Sequence, residues 1–517
     1  MKQQKVPLIG LTLLLVTAGH MPARAEPPSG WNMYSGSNVT QVIGFADGNA
    51  MGPQQPAKIN LQIGTAKMGA AIMDTGSSGI VVGSKHFDPT GLTPIGPGSQ
   101  AYDSSGVAHT GTYYNVSVDL YDAAGKTKVA TTQVPVLYVS DESAQDVLYM
   151  GVGFDRTNGA SVNPVQMTPS HNPLLNLTWV KSGSVDLVRK GYVIRNGEVV
   201  LGIPNSDSTP NNQFAFVKLG RNPTDTDWGI TSMTVKVTPP EGGDGSKATP
   251  GTILQDTGID YMYVTPLPGS GMNTHNWARA GTKVDISFPG NFASYGISAV
   301  EHPSATCPTD LAPSTTPCTV RPDNVASGTY VNTGREFYAG FDYLYDAANG
   351  YVGYYWTGNT TGGTSSPGVA LAGLVELPDN FTSTMRTFLM GPTVLQQSGT
   401  GTFSGEIFGS GGLTISGGQV NLTAANSYYG GTTVTGGGTL AIDADSRLGN
   451  PSGGLALAGG TLLATGSFTT SRAVTLGVGG GIVNTDAFNI AFDTAVTGPG
   501  GLTKTGLGIL TLSGANG

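Results

Sequence analysis

The 517-residue chain is poor in charge: Asp, Glu, Lys and Arg make up 11% of it, less than half the share of about 25% in ordinary soluble domains. The net charge is −9 and there is no basic stripe, which argues against a nucleic-acid partner. Cysteine is almost absent. Cys307 and Cys318 are the two present. Only His302 lies near them, so a Cys₂His₂ zinc site is excluded. The six histidines are scattered and no His-Glu-x-x-His occurs, which excludes a zinc protease of that type. Neither Gly-x-Ser-x-Gly nor Gly-Asp-Ser-Gly is found, which removes the usual serine hydrolase motifs. Apolar runs of membrane-spanning length are missing, and Val6 to Ala18 is too short to cross a bilayer comfortably. With Lys2 and Lys5 before it and Ala23-Arg24-Ala25 after it, that run reads as a signal peptide over 1–25, cleaved before Glu26.

What is abundant is glycine, 78 residues. With few helical periodicities, this points to a β-rich, exported protein. In such a compartment Cys307 and Cys318 are expected to pair as a disulfide. The most informative stretch is Ala70 to Val82, where an apolar run ends in Asp74-Thr75-Gly76-Ser77-Ser78-Gly79 and a β-branched run follows. This reads as strand, tight turn, strand. A lone Asp-Thr-Gly is an ordinary turn, but Gly251 to Val264 repeats the pattern around Asp256-Thr257-Gly258. Two such turns suggest a duplicated half-domain that brings two carboxyl groups together. Paired carboxyls are what general acid–base activation of a water requires.

Residues 26–55 read as an exposed lead-in. Strands are expected over Ile59 to Thr65, Tyr113 to Tyr121, Thr131 to Val139, Glu198 to Gly202 and Trp228 to Val237. Leu174 to Val188 is the best helix candidate of the first half. Thr357 to Gly368 is linker-like in composition, and the linker is drawn over 357–398. From about Gly399 a Gly-Gly/Thr-Leu theme returns at Gly411, Gly438, Gly460 and Gly501 with Leu, Ile and Val in phase. That is the pattern of a parallel β-solenoid over 399–517.

Residues 56–356 resemble the pepsin-like aspartic proteases. The resemblance rests on Ile63-Gly64-Thr65, Asp74 to Ser78, Leu148 to Phe154, Gly197 to Gly202, Gly251 to Gly258, and Asn332 to Phe337 followed by Phe341-Asp342 and Val352-Gly353. It implies a bilobal all-β fold, with lobes over about 56–205 and 206–356, and a water activated between catalytic Asp74 and Asp256. It further implies that Thr75 and Thr257 bond across the lobes and that Gly76 and Gly258 let the backbone approach the carboxyls. Ser77 would bond Asp74, and Tyr102, or its rival Tyr113, would sit on a flap. Ile259 stands where the family has Ser or Thr. Asp256 is therefore expected to lack the outer hydrogen bond that Ser77 gives Asp74, which would raise its pKa and the pH optimum. Glu26 to Asp74 is 48 positions and contains only Lys58 and Lys67, too short and too poor in basic residues for an inhibitory propeptide plus the first strands, so a typical zymogen is not expected.

Tyr429 to Gly436 and Gly500 to Asn516 resemble autotransporter passenger-associated repeats. This implies a surface stalk on a Gram-negative cell, outer-membrane association through a β-barrel not present in this chain, and an extracellular or cell-surface location. The chain stops inside what reads as a repeat unit, so a fragment or a truncated gene product is expected. The leading expectation is an aspartic-type endopeptidase acting on a polypeptide substrate as a monomer, with no cofactor, no metal and no nucleic acid. The rival is an autotransporter adhesin whose bilobal domain binds peptide or glycan without cleaving it.

Overall fold

In the computed structural model the described residues are 30–52, 55–102, 105–156, 169–205, 213–221, 227–240, 247–267, 277–300, 315–317, 319–322, 328–358 and 362–515. Strand follows strand along nearly all of them, and each described helical piece is a short 3₁₀ turn, the longest being Arg335–Ala339. The signal-peptide expectation and the Cys307–Cys318 pairing both lie outside the described residues. No described helix is long and apolar enough to cross a membrane.

Alternation of apolar and polar residues builds two eight-stranded sheets. In Lys58–Ile63 the side chains of Ile59, Leu61 and Ile63 are buried and those between them face outward, as a pleat with a period of two requires. The first sheet runs from Gly96–Tyr102 through Val107–Tyr121, Lys58–Ile63, Gly69–Asp74, Leu148–Val152, Ser78–Gly83 and Lys128–Val139 to Leu177–Val180. The second contains Met262–Thr265, Tyr330–Asn332, Thr249–Leu254, Thr231–Thr238 and Lys283–Ser287 as neighbours in that order. Both sheets share one device. A strand ends in Asp-Thr-Gly, the chain turns back, and a third strand is inserted between the incoming and outgoing ones. Leu148–Val152 does this beside Gly69–Asp74 and Ser78–Gly83, and Tyr330–Asn332 does it beside Thr249–Leu254 and Met262–Thr265.

A third sheet joins the two. Gln41–Gly44, Glu198–Leu201, Gly191–Arg195, Phe341–Asp346, Tyr351–Trp356 and Ala215–Lys218 pair antiparallel in that order. Its faces are aromatic: Phe337 stacks on Phe341 at 4.5 Å, Phe154 on Tyr345 at 4.3 Å and Phe288 on Tyr354 at 4.0 Å. Such pairs are worth about 0.5–1.5 kcal/mol each beyond the area they bury.

The same sheet continues into the C-terminal solenoid. Ala215, Phe216 and Val217 pair in parallel with Gly368, Val369 and Ala370 of strand Gly368–Glu376. From there the rungs follow in parallel: Gly368 with Arg386, Thr393 with Leu413, Leu413 with Thr432, Thr432 with Leu455, Leu455 with Val474 and Val474 with Val496. Each coil takes about twenty residues, as repeat periodicity demands of a solenoid. Leu413, Ile415, Val420, Leu422, Leu440, Leu462 and Val483 point inward and are buried. A second face of seven strands runs from Phe381–Ser383 to Leu502–Thr505.

Three expectations are corrected. Residues 174–188 form strand Leu177–Val180 and a 3₁₀ turn at Val185–Leu187 instead of a helix, because Leu177-Thr178-Trp179-Val180 finds an edge beside Ala130, Thr131 and Thr132. The stretch 357–398 is no flexible linker. It holds Gly363–Ser365, Gly368–Glu376, Phe381–Ser383 and Arg386–Gln396, so the solenoid begins about thirty residues before Gly399. The lead-in is not exposed either. Trp31 is 1% exposed, with its ring 6.4 Å from Phe216, 6.0 Å from Tyr351 and 5.0 Å from Phe381. The Asn32 side chain donates to Asn380 O at 3.1 Å and accepts from Thr382 N–H at 2.7 Å.

Trp31 thus fills the corner between the central sheet and the first coil. Trp31→Ala should destabilise that junction by about 3–5 kcal/mol. The check is a lowered urea midpoint together with faster limited proteolysis around 357–385.

A candidate paired-carboxyl site

The two Asp-Thr-Gly turns meet across the interface between the eight-stranded sheets, and side-chain–backbone bonds lock them in both directions. Thr75 N–H donates to Thr257 Oγ1 at 3.0 Å and Thr257 N–H donates to Thr75 Oγ1 at 2.9 Å. Each hydroxyl passes its own proton to the chain just before the opposite aspartate: Thr75 Oγ1 to Gln255 O at 2.6 Å and Thr257 Oγ1 to Met73 O at 2.7 Å. Both threonines are buried. Fully satisfied buried polar groups rigidify the structure that holds them.

The lock seats Asp74 and Asp256 face to face, 6% and 4% exposed. Gly76 N–H donates to Asp74 Oδ1 and Gly258 N–H to Asp256 Oδ1, both at 2.7 Å. The glycines are required by crowding. A Cβ on Gly76 would lie 2.6 Å from Asp256 Oδ2, and one on Gly258 would lie 2.5 Å from Asp74 Oδ1. Ser77 Oγ donates to Asp74 Oδ2 at 2.6 Å.

Burial first, and the Asp256 charge second, push the Asp74 carboxyl well above the ordinary carboxylate range, against the opposing bonds from Ser77 and Gly76. Like charges this close in a poorly hydrated place resist double ionisation. The pair can therefore hold one proton between two acids near neutral pH, with a donor and an acceptor side by side.

Asp256 does not lack its outer hydrogen bond. Ile259 is buried and apolar, but Asn332 reaches over from the inserted strand and its Nδ2 donates to Asp256 Oδ2 at 2.7 Å. The premise for a raised optimum is corrected accordingly. Sequence reasoning looked for the donor at the position following the turn, whereas it comes from a strand 76 positions away. The available signal was Asn332-Thr333-Gly334 itself, a turn-forming Asn with Gly two residues on at the end of a strand.

Tyr102 closes the strand Gly96–Tyr102 and pairs with Val107 at the end of a long hairpin. Its ring lies 5.3 Å from Tyr149. Burial and then the Asp74 charge raise the Tyr102 phenol well above its ordinary value, which places Tyr102 beside the pair. Tyr113 is buried in a small core with Val81, Leu137, Val139 and Ala144, and Tyr102 packs against that same core.

No family model matches the chain. Over 97 residues it is 42% identical to the adhesin BmaC autotransporter of Brucella suis biovar 1 (strain 1330), a match that takes in 19% of this chain and 3% of that relative. The chain spans a small part of that relative's length.

These findings correct two expectations. Membership of the pepsin-like aspartic proteases is not supported, because no family model matches and the detected kinship is to an autotransporter adhesin. The endopeptidase as leading function gives way with it. Two short turns dictate a local geometry, and local geometry does not carry kinship or activity by itself. The β-solenoid stands, and the 97-residue similarity is to an autotransporter.

Two measurements check the site's physics. Thr257→Val leaves the Thr75 N–H buried without a partner and should cost about 1–3 kcal/mol, seen as a lower unfolding midpoint and faster exchange of the Thr75 amide. Asp74→Asn removes a carboxyl whose folded-state pKa is raised. That group favours the fold most below its unfolded pKa and loses its contribution as pH rises toward neutrality. The variant should therefore gain stability relative to the parent between pH 4 and pH 8, read as diverging thermal midpoints.

Proposed function

We propose that the chain is part of an autotransporter adhesin: a bilobal head that binds peptide or glycan, carried on a β-solenoid stalk. The observation that carries this reading is the 42% identity over 97 residues to an autotransporter adhesin. The architecture supports it, since a coil of parallel rungs is suited to holding a head away from a surface. We place the protein outside the cell or on its surface, associated with the outer membrane through a β-barrel, and acting as a monomer. A pepsin-like arrangement of two lobes is our reading of the head's architecture and makes no statement of kinship. Of the two ligand classes we favour an extended peptide. The buried pair offers one donor and one acceptor together, which matches the alternating C=O and N–H of a main chain.

Enzymatic competence of the same pair is a separate proposal. It has one observation behind it, the raised carboxyl of Asp74 beside a second acid, the arrangement that aspartic-type peptide hydrolysis uses.

The test applies the purified chain to peptide and glycan arrays at pH 4 to 8 and recovers bound ligand by mass spectrometry. Saturable binding of an intact peptide, weakened at least tenfold by Gly76→Val, is the expected result. No binding in either array would overturn the adhesin head. A ligand cut by the parent chain but left whole by Asp74→Asn would replace the binding-only reading with the enzymatic one.

A further inference from the structure

The two carboxyl groups are held alike on their inner oxygens and differently on their outer ones. Each Oδ1 accepts a glycine N–H at 2.7 Å. Asp74 Oδ2 faces the Ser77 hydroxyl at 2.6 Å, and a hydroxyl can turn to donate or to accept. Asp256 Oδ2 faces the Asn332 side chain at 2.7 Å. The orientation of that amide is settled by its other end. Asn332 Oδ1 accepts from Gly334 N–H at 3.1 Å, so the group turned toward Asp256 is the NH₂. An amide NH₂ donates and does not accept.

The setting keeps this amide in place. Asn332 is 5% exposed and ends the inserted strand, with Leu254 and Tyr263 as its neighbours in register. The Asn332–Gly334 turn is fixed by Gly334, whose φ is +68° and whose Cβ, if present, would lie 2.5 Å from Tyr261 O. In the first sheet the equivalent place beside Ile72, also two residues before the aspartate, is held by Tyr149, a side chain turned to Tyr102. The two halves thus differ at two linked positions: Ser77 with Tyr149 in one, Ile259 with Asn332 in the other.

We propose that Asn332 is the positioning residue that keeps Asp256 as the carboxylate and leaves the pair's proton on Asp74. A proton on Asp256 Oδ2 would point at an NH₂ that cannot accept it, whereas a proton on Asp74 Oδ2 has the Ser77 oxygen as acceptor. The other ionisable groups around the pair do not reverse this order. Tyr102 faces Asp74 and stays neutral, and Tyr338 donates its hydroxyl to Gln255 O at 3.1 Å. Arg335 donates to Gly258 O at 2.9 Å on the Asp256 side and favours negative charge there. Asp260 and Glu336 belong to that side as well, and burial raises the Glu336 carboxyl to about 8, so it is neutral at pH 7. For a bound main chain, a consequence that rests on the peptide reading above, a carbonyl would meet Asp74 and an N–H would meet Asp256.

The test is a carbon-13 NMR titration of the full chain labelled at aspartate side-chain carboxyls, from pH 3 to 9 without ligand. Asp74→Asn and Asp256→Asn assign the two resonances. Asp256 is expected to ionise at lower pH than Asp74. In Asn332→Leu its titration should move up by about one pH unit or more, as loss of a bond to the charged form demands. Adding Ile259→Ser to that variant should lower the Asp256 titration again by supplying a donor, while leaving the two carboxyls closer together than in the parent chain, because a hydroxyl can also accept a proton. Asp74 ionising first in the parent chain, or unmoved titrations in Asn332→Leu, would overturn the assignment. If Asn332→Leu does not fold, the parent titration still decides the order and Asn332→Ser replaces it. Because no ligand is present, failure here is distinct from failure of the adhesin reading, which the arrays measure.

Discussion

Two buried hydroxyls hold the interface between the eight-stranded sheets. Thr75 and Thr257 each accept the other's backbone N–H and each donate to a carbonyl in the opposite turn. With both partners present the arrangement is complete, and with one missing a buried donor is stranded. The consequence is positional. Because each threonine is followed by glycine and preceded by aspartate, fixing the threonines fixes the carboxyls. The crowding at Gly76 and Gly258 then leaves those carboxyls one way to sit.

Much of this was legible in the residues. Paired Asp-Thr-Gly turns announce themselves by their flanking apolar strands, and alternation placed Lys58–Ile63, Val107–Tyr121 and Lys128–Val139 to within a few residues at one end or the other. The phase of Leu, Ile and Val past Gly399 revealed the coil. What escaped depended on distant contacts. Val369 to Met390 looks merely apolar until Ala215–Lys218 offers it an edge. Trp31 looks like part of a loose lead-in until Phe216 and Phe381 surround it. Asn332 was visible as a turn former, but its target lies across the sheet, and no local pattern encodes which side of a strand meets a carboxyl.

The turns also show how far a motif reaches. Their geometry follows from short-range chemistry, hydroxyls and glycines around an acid, and can serve binding or catalysis. The similarity detected is to an autotransporter adhesin over 97 residues, and it does not bear on the chemistry of the pair.

The parallel pairing of Ala215, Phe216 and Val217 with Gly368, Val369 and Ala370 has a mechanical meaning. One ladder of backbone bonds passes from the head into the coil without a hinge, and Trp31 wedges the corner. The head therefore cannot swivel on its support. Each further coil would carry it about 4.8 Å along the axis, the spacing of neighbouring strands. The coil is a ruler that also fixes bearing: the number of coils sets both how far the acidic pair stands from the coil's far end and which way it faces.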